Sequence, residues 1–257
     1  MKIPDGRDAR VRSGLASARP SPTTVRLAVL SDVHANLEAL ETALAEVDRR
    51  GADRVVCLGD VVGYGPDPVA CLDLVRERCE VTVLGNHDEA VAFDRGLTFL
   101  PKDAQQAVKA HRQVLDEERL GWLRSLPLMA HSTEVTLAHA APNEPGTWPR
   151  LSSYQELQAQ FPAFNTPVCF VGHSHRPAVV SDRVGVLRVR RGHRFLIDVG
   201  SVGQPRDRDP RLAFGLFDTE AFEYESIRLH YDVARTASKI REAGLPETLA
   251  KRLLRGL

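Results

Sequence analysis

Five short polar segments, each placed just after a run of apolar residues, constrain this chain more than any other feature. They are Ser31-Asp32-Val33-His34, Gly59-Asp60, Gly85-Asn86-His87-Asp88, His139, and Gly172-His173-Ser174-His175. The preceding runs at 26–30, 54–58, 81–84, 134–138 and 168–171 are of the Val/Leu/Ile/Phe type. Short apolar runs bounded by Gly and polar residues read as buried strands, so each segment reads as the loop at a strand's end. Two Asp, one Asn and four His gathered at strand ends are the ligand types a site for two divalent metals needs.

The stretches between these runs carry helical spacing. Leu37 to Arg50 has apolar residues at 37, 40, 44 and 47, with Gly51 placed to close the helix. Pro68 to Arg78 is a second helix, and 103–124 holds one or two more. Alternating strand and helix implies a parallel or mixed sheet built from βα units. After Arg176 the rhythm changes: 177–181, 184–190, 194–199, 212–218 and 222–229 read as consecutive strands with short turns, an antiparallel half. Residues 232–256 read as two helices broken at Gly244-Leu245-Pro246. Their Leu/Ile face is expected to pack on the sheet, with a homodimer contact as the alternative.

At 257 residues the chain has room for one sizeable core. The expected organisation is a disordered leader over 1–24 and one domain over 25–257. Lys+Arg and Asp+Glu both number 34, so no broad basic field favours nucleic acid. No segment approaches the roughly 20 apolar residues of a membrane span. The start lacks a signal-type apolar core, and the four cysteines form no C-x-x-C pair, which fits a reducing, cytoplasmic setting.

Within the site, Asp32 and His34 are two residues apart on an extended chain and can face one point while Val33 faces the core. His173 and His175 repeat that spacing. Asp60 has two oxygens with which to bridge two ions, and Asn86 offers a neutral oxygen. Oxygen and imidazole ligands without thiolate favour Mn or Fe, with Zn, Ni or Co as alternatives, over a structural zinc knot. Taken singly, D-x-H is a weak signal; G-N-H-D and G-H-x-H after apolar runs are stronger, and five of the nine His fall in these slots. The other four, His111, His131, His193 and His230, are by default surface or satisfied core.

The series D-V-H, G-D-V-V-G-Y-G-P, G-N-H-D, H-A and G-H-S-H resembles the calcineurin-like metallophosphoesterase superfamily, and looks most like its bacterial and archaeal phosphodiesterase-related, diadenosine tetraphosphatase-like branch. The likeness runs from about Arg26 to Leu229. It implies an α/β fold, a four-layer α-β-β-α sandwich of two mixed sheets flanked by helices. It implies one metal on Asp32, His34, Asp60 and His175, a second on Asp60, Asn86, His139 and His173, and His87 as the group that assists phosphate or leaving oxygen. The protein phosphatases of the superfamily carry G-D-x-V-D-R-G, whose second Asp orients the catalytic His and whose Arg clamps phosphate. Gly63 and Tyr64 stand at those positions here, and Asp88 replaces the Glu of G-N-H-E. The phosphoprotein-phosphatase reading, and with it that of the symmetrical dinucleotide hydrolases that share its Arg, therefore loses support, and the residue that orients His87 is not given by the sequence.

Two cations a few ångströms apart can bring the pKa of a water toward neutrality, giving a hydroxide that attacks phosphorus in line. The expected substrate is a small phosphorylated or nucleotide-type molecule, a phosphodiester or phosphoanhydride. Tyr64 is a candidate to stack on a base, weighed against an exposed structural turn, and Arg206 in the loop Gly200 to Arg206 a candidate for a second phosphate. Asn143 and Trp148, after His139, border the site by sequence, but relatives of the resembled branch often place an Arg near the position of Asn143 that this chain lacks. A phosphomonoesterase, or a scaffold that kept the fold without catalysis, are the alternatives.

Overall fold

The computed structural model describes residues 25–186 and 188–257. The expected leader, 1–24, lies outside them. Two five-stranded mixed sheets are flanked by helices, as the resemblance implied.

The first sheet is built from both ends of the chain. Strands β1 (Arg26–Leu30), β2 (Arg54–Cys57) and β3 (Val81–Thr82) run parallel, joined by helices α1 (Leu37–Arg50) and α2 (Pro68–Arg78). Helix α3 (Asn86–Phe93) follows β3, and α4 (Lys102–Val114) and α5 (Glu117–Ser125) lead to the second sheet. That sheet has the order β4 (Met129–His131), β5 (Val135–Ala138), β6 (Val168–Val171), β8 (Phe195–Asp198), β7 (Ala178–Ser181), with the short helix α6 (Tyr154–Gln158) before β6. The chain then returns: β9 (Leu212–Asp218) pairs antiparallel with β1, and β10 (Glu223–Leu229) with β9, before helices α7 (Val233–Glu242) and α8 (Glu247–Leu253).

Both faces of each central strand are buried, which is why these strands read as unbroken apolar runs. In β1, Leu27 and Val29 face the inter-sheet core, and Ala28 and Leu30 face the helices. In β6, Val168 and Phe170 join that same inter-sheet core, while Cys169 and Val171 pack outward with Phe161 and Phe164. Phe170 and Phe217, one from each sheet, meet edge to face at 5.7 Å.

Helix α1 has the span its spacing predicts. Asn36 caps it by accepting from the Ala39 N–H at 3.2 Å, and Gly51 at φ 63° closes it with its N–H on Asp48 and Val47 carbonyls.

Two expectations for the rear half are corrected. It is not one antiparallel sheet, because β8 lies parallel to β6 and the β9–β10 hairpin joins the first sheet. Nor is there a strand among the described residues of 184–190. Gly185 turns left-handed at φ 86°, Val184 is 88% exposed, and β7 already stands at the sheet edge with no further partner. Strand β4 and helix α3 are additions that the sequence reading lacked. The break at Gly244–Pro246 is where expected, but the apolar face of these helices packs on α4 and not on the sheet: Ile240, Leu249 and Leu253 cluster with Ala104 and Ala107. No helix among the described residues is long and apolar enough to cross a membrane.

Candidate metal centre

Parallel strands end on one edge of their sheet, so the loops after them converge. Asp32 and His34 follow β1, Asp60 follows β2, and Asn86 and His87 follow β3. His139 follows β5, His173 and His175 follow β6, and Arg206 lies in the loop after β8. The backbone there is unusual. Asp32, His34, Asp60, His173 and His175 have φ of 52°, 49°, 51°, 64° and 61°, in the left-handed region that L-residues seldom adopt. Such conformations persist only where surrounding bonds hold them. Here Ser201 Oγ donates to the Asp32 carbonyl at 2.8 Å, and the Gly203 N–H donates to the same oxygen at 2.9 Å.

The structure brings together all seven predicted ligand residues. Asp32 Oδ2 accepts from Ser31 Oγ at 2.6 Å and from the His173 N–H at 2.9 Å, leaving Oδ1 buried without a hydrogen-bond partner among the described residues. That oxygen lies 3.1 Å from His175 Nε2 and 3.7 Å from His34 Nε2. Asp60 Oδ1 accepts from the His87 N–H at 2.8 Å; its other oxygen faces His34 Nε2 at 3.6 Å and His139 Nε2 at 3.4 Å. Asp60 Oδ2 thus stands between two groups of ligands.

The histidine tautomers follow from their outer partners. Nδ1 of His34, His139 and His175 meets the carbonyls of Val62 (3.1 Å), Leu58 (2.8 Å) and Gln204 (2.5 Å). A carbonyl only accepts, so each Nδ1 carries a proton, and Nε2 is the ring atom turned inward to meet a cation. Yet His34 Nε2 and His175 Nε2 are 3.2 Å apart, and His139 Nε2 is 3.2 Å from Asn86 Oδ1 and 3.3 Å from His173 Nδ1. Lone pairs facing lone pairs and carboxylates in a buried site require a positive charge among them. The donor set, all oxygen and imidazole, suits divalent metals. Ligating atoms lie within 4.8 Å of one another in three groups: Asp32, His34 and His175; Asp60, His139 and His173; and His34, Asp60 and His87.

The electrostatics tell the same story without metal. Burial disfavours a charged His139, but Asp60 outweighs it and raises the group to about 10, so a proton takes the place of a cation. Burial alone would raise Asp32, but His175 holds its carboxyl well below the usual range. Burial holds His173 down to about 3. Asp88 is pushed up to about 7 by burial and the nearby Asp60, and accepts from the N–H groups of Val62 (3.1 Å) and Gly85 (3.2 Å), bracing the loops of β2 and β3.

His87 is 3% exposed, and its Nδ1 has no hydrogen-bond partner among the described residues. Packing orients it: Tyr64 lies 4.5 Å and His34 4.9 Å from its ring, centre to centre. Tyr64 is 3% exposed, not an exposed turn residue. The Arg206 and Arg252 guanidiniums lie 5.3 and 5.8 Å from its ring centre, which leaves no open face for a stacked base. Arg206 itself is aimed by Gln204, whose Oε1 accepts from its Nη2 at 2.8 Å.

A cleft of about 270 Å³ runs from Asp60 and His87 past Arg206 to the exposed Phe99. Three contributors were not picked out as site residues by sequence. Phe99 and Arg150 line the cleft from loops that carry no periodic signal. His111 accepts from the Gly63 N–H at Nδ1 (3.0 Å) and donates from Nε2 to the Gly65 carbonyl (2.8 Å), pinning the turn that carries Tyr64. Its spacing with Ala104, Ala107 and Val108 on one helical face was the available signal.

Residues 25–221 match the calcineurin-like phosphoesterase superfamily domain. The chain belongs to that superfamily. This phosphoesterase is a metal-dependent phosphoester hydrolase by family. It is 36% identical to an uncharacterized protein of Methanocaldococcus jannaschii over 246 residues, 90% of this chain and 98% of the other. The crystal structure of a metallophosphoesterase from Sphaerobacter thermophilus superposes with a TM-score of 0.81 at 36% identity, covering 91% of the phosphoesterase and 100% of that chain. A symmetrical bis(5′-nucleosyl)-tetraphosphatase of Aliivibrio fischeri is 31% identical over 117 residues, which is 43% of each protein.

Proposed function

We propose that this phosphoesterase uses two divalent ions, Mn or Fe before Zn, Ni or Co, to cleave a phosphodiester or phosphoanhydride in a nucleotide-type substrate resembling diadenosine tetraphosphate. Asp32, His34, Asp60 and His175 would hold one ion, and Asp60, Asn86, His139 and His173 the other. The observation that carries this is the meeting of inward-turned ring nitrogens and carboxylate oxygens around Asp60 Oδ2. Divalent cations so held supply Lewis acidity that activates water and neutralises phosphate charge. The partial likeness to the symmetrical tetraphosphatase supports a nucleotide-type substrate but not its mode of cleavage, since Tyr64 stands where the resemblance places the Arg of the symmetrical hydrolases.

His87 serves the leaving oxygen. Burial keeps its ring neutral in the free protein, down to about 4, with Asp60 acting in the opposite direction. An anionic phosphoester beside it favours the imidazolium, so a proton is taken up as substrate arrives and is available for the departing oxygen. Arg206, unpaired with any carboxylate among the described residues, takes a further phosphate. A cytoplasmic setting fits the free cysteines Cys57, Cys71, Cys79 and Cys169, three of them buried.

The test is elemental analysis of purified, metal-reconstituted protein followed by a hydrolysis panel of phosphomonoesters, phosphodiesters and dinucleoside polyphosphates. Two equivalents of metal and preferred cleavage of the dinucleoside substrates are expected. Loaded protein that cleaves none of the panel would overturn the reading.

A further inference from the structure

The cleft has a lining that phosphoryl chemistry alone does not call for. Phe99, at the end of the 3-10 turn Leu97–Phe99, is 92% exposed, and Leu100 and Pro101 extend the same apolar lining. An isolated exposed apolar residue is ordinary, but this one belongs to a cleft that also contains Trp148.

Trp148 is held in place from two sides. Its indole N–H donates to Glu89 Oε2 at 2.8 Å, in the helix that opens with Asn86 and His87, and its ring stands edge to face on His139 at 5.7 Å. Its backbone has φ 54°, a left-handed conformation costly for a bulky side chain. The fold thus fixes an aromatic plate against a residue of the metal cluster. Arg150 and Arg206 line the same cleft, and neither has a carboxylate partner among the described residues. Ring faces beside unpaired guanidiniums suit a ligand that is flat and aromatic at one end and carries several anionic oxygens.

Resting on the phosphoesterase reading above, we propose that Phe99 and Trp148 receive the nucleobase of the substrate and set the preference for nucleoside over plain alkyl phosphoesters. Tyr64, covered by its own neighbours, does not serve in this role.

The preference is read with two phosphodiesters of one shared alkyl alcohol, one on adenosine 5′-phosphate and one on ribose 5-phosphate, which differ only by the base. Wild-type enzyme should have the higher kcat/KM on the adenosine ester. Base–aromatic stacking of the usual strength sets the drop in that ratio for Phe99→Ala and for Trp148→Leu at about tenfold to a hundredfold. Phe99 is almost wholly in water, so its variant tests the idea even if the Trp148 variant folds poorly. A ratio near one in the wild type, or a wild-type ratio retained by Phe99→Ala, overturns the proposal while hydrolysis itself continues. Absence of hydrolysis on either ester and throughout the panel is a failure of the phosphoesterase reading instead.

Discussion

Gly63 and His87 form the pair that sets the character of the acid–base group. Gly63 has φ 92°, and a Cβ there would come within 2.5 Å of His87 Nδ1. Where the protein phosphatases of the superfamily place a carboxylate to steer this histidine, the present chain places bare backbone. His87 is steered by the Tyr64 and His34 rings and by the bond from its own N–H to Asp60. Geometry alone would admit His87 as a ligand beside His34 and Asp60. The two roles separate in one variant. His87→Ala should retain the metal content of the wild type while turnover falls by roughly 10²–10⁴-fold, the usual contribution of general acid–base catalysis. Loss of metal in parallel with activity would instead make His87 a ligand.

At the level of elements, helix α4 supports the site through His111. Burial holds this group down to about 4 in the folded chain, with the bond to the Gly65 carbonyl opposing. A histidine depressed on folding binds more protons unfolded, so its contribution is complete above pH 6.5 and is lost as pH falls toward 4. The loss across that window is about 3 kcal/mol. His111→Gln keeps an acceptor for Gly63 and a donor for Gly65 but does not titrate. Urea unfolding from pH 7 to pH 4 should therefore show a shallower acid decline in the variant, and identical slopes would remove His111 from the acid response. The elements themselves were unevenly legible. Helix α1 could be read to the residue, because one buried stripe and a C-terminal Gly are local signals. The destination of β9 and β10 could not, since pairing with β1 across nearly the whole chain leaves no local trace. The 184–190 segment has the alternation of a strand, but among its described residues Val186 and Val189 pack against the inter-sheet core from an irregular loop. The convergence of the proposed ligand residues was legible because each follows a two-sided apolar run. Trp148 was legible only through its nearness to His139, and Phe99 and Arg150 approach the cleft from irregular loops, where chain contacts depend on tertiary folding alone.

For the molecule as a whole, the ligand cluster is also a joint. Asp32, His34, Asp60 and Asn86 come from the first sheet, and His139, His173 and His175 from the second. Between the sheets lies the apolar layer of Phe170, Phe195, Ile197 and Phe217, which holds them together regardless of metal. Removing cations leaves that layer intact but returns lone pairs and carboxylates to mutual repulsion, relieved only in part by a proton on His139. Ligand that binds only the native state stabilises it by about 2.7 kcal/mol at a hundred times its Kd. For a chain of this size that corresponds to a fall in Tm of roughly 5–10 °C on chelation, recovered when metal is restored. Two variants divide the effect. Phe170→Ala should cost about 3–5 kcal/mol with or without metal, since it opens a cavity in the shared core. Asp60→Asn removes the negative charge placed between the two ligand groups, and its Tm should barely respond to chelator. A wild-type Tm indifferent to chelation would mean that the two sheets are closed by packing alone and that the converging histidines hold no structural cation.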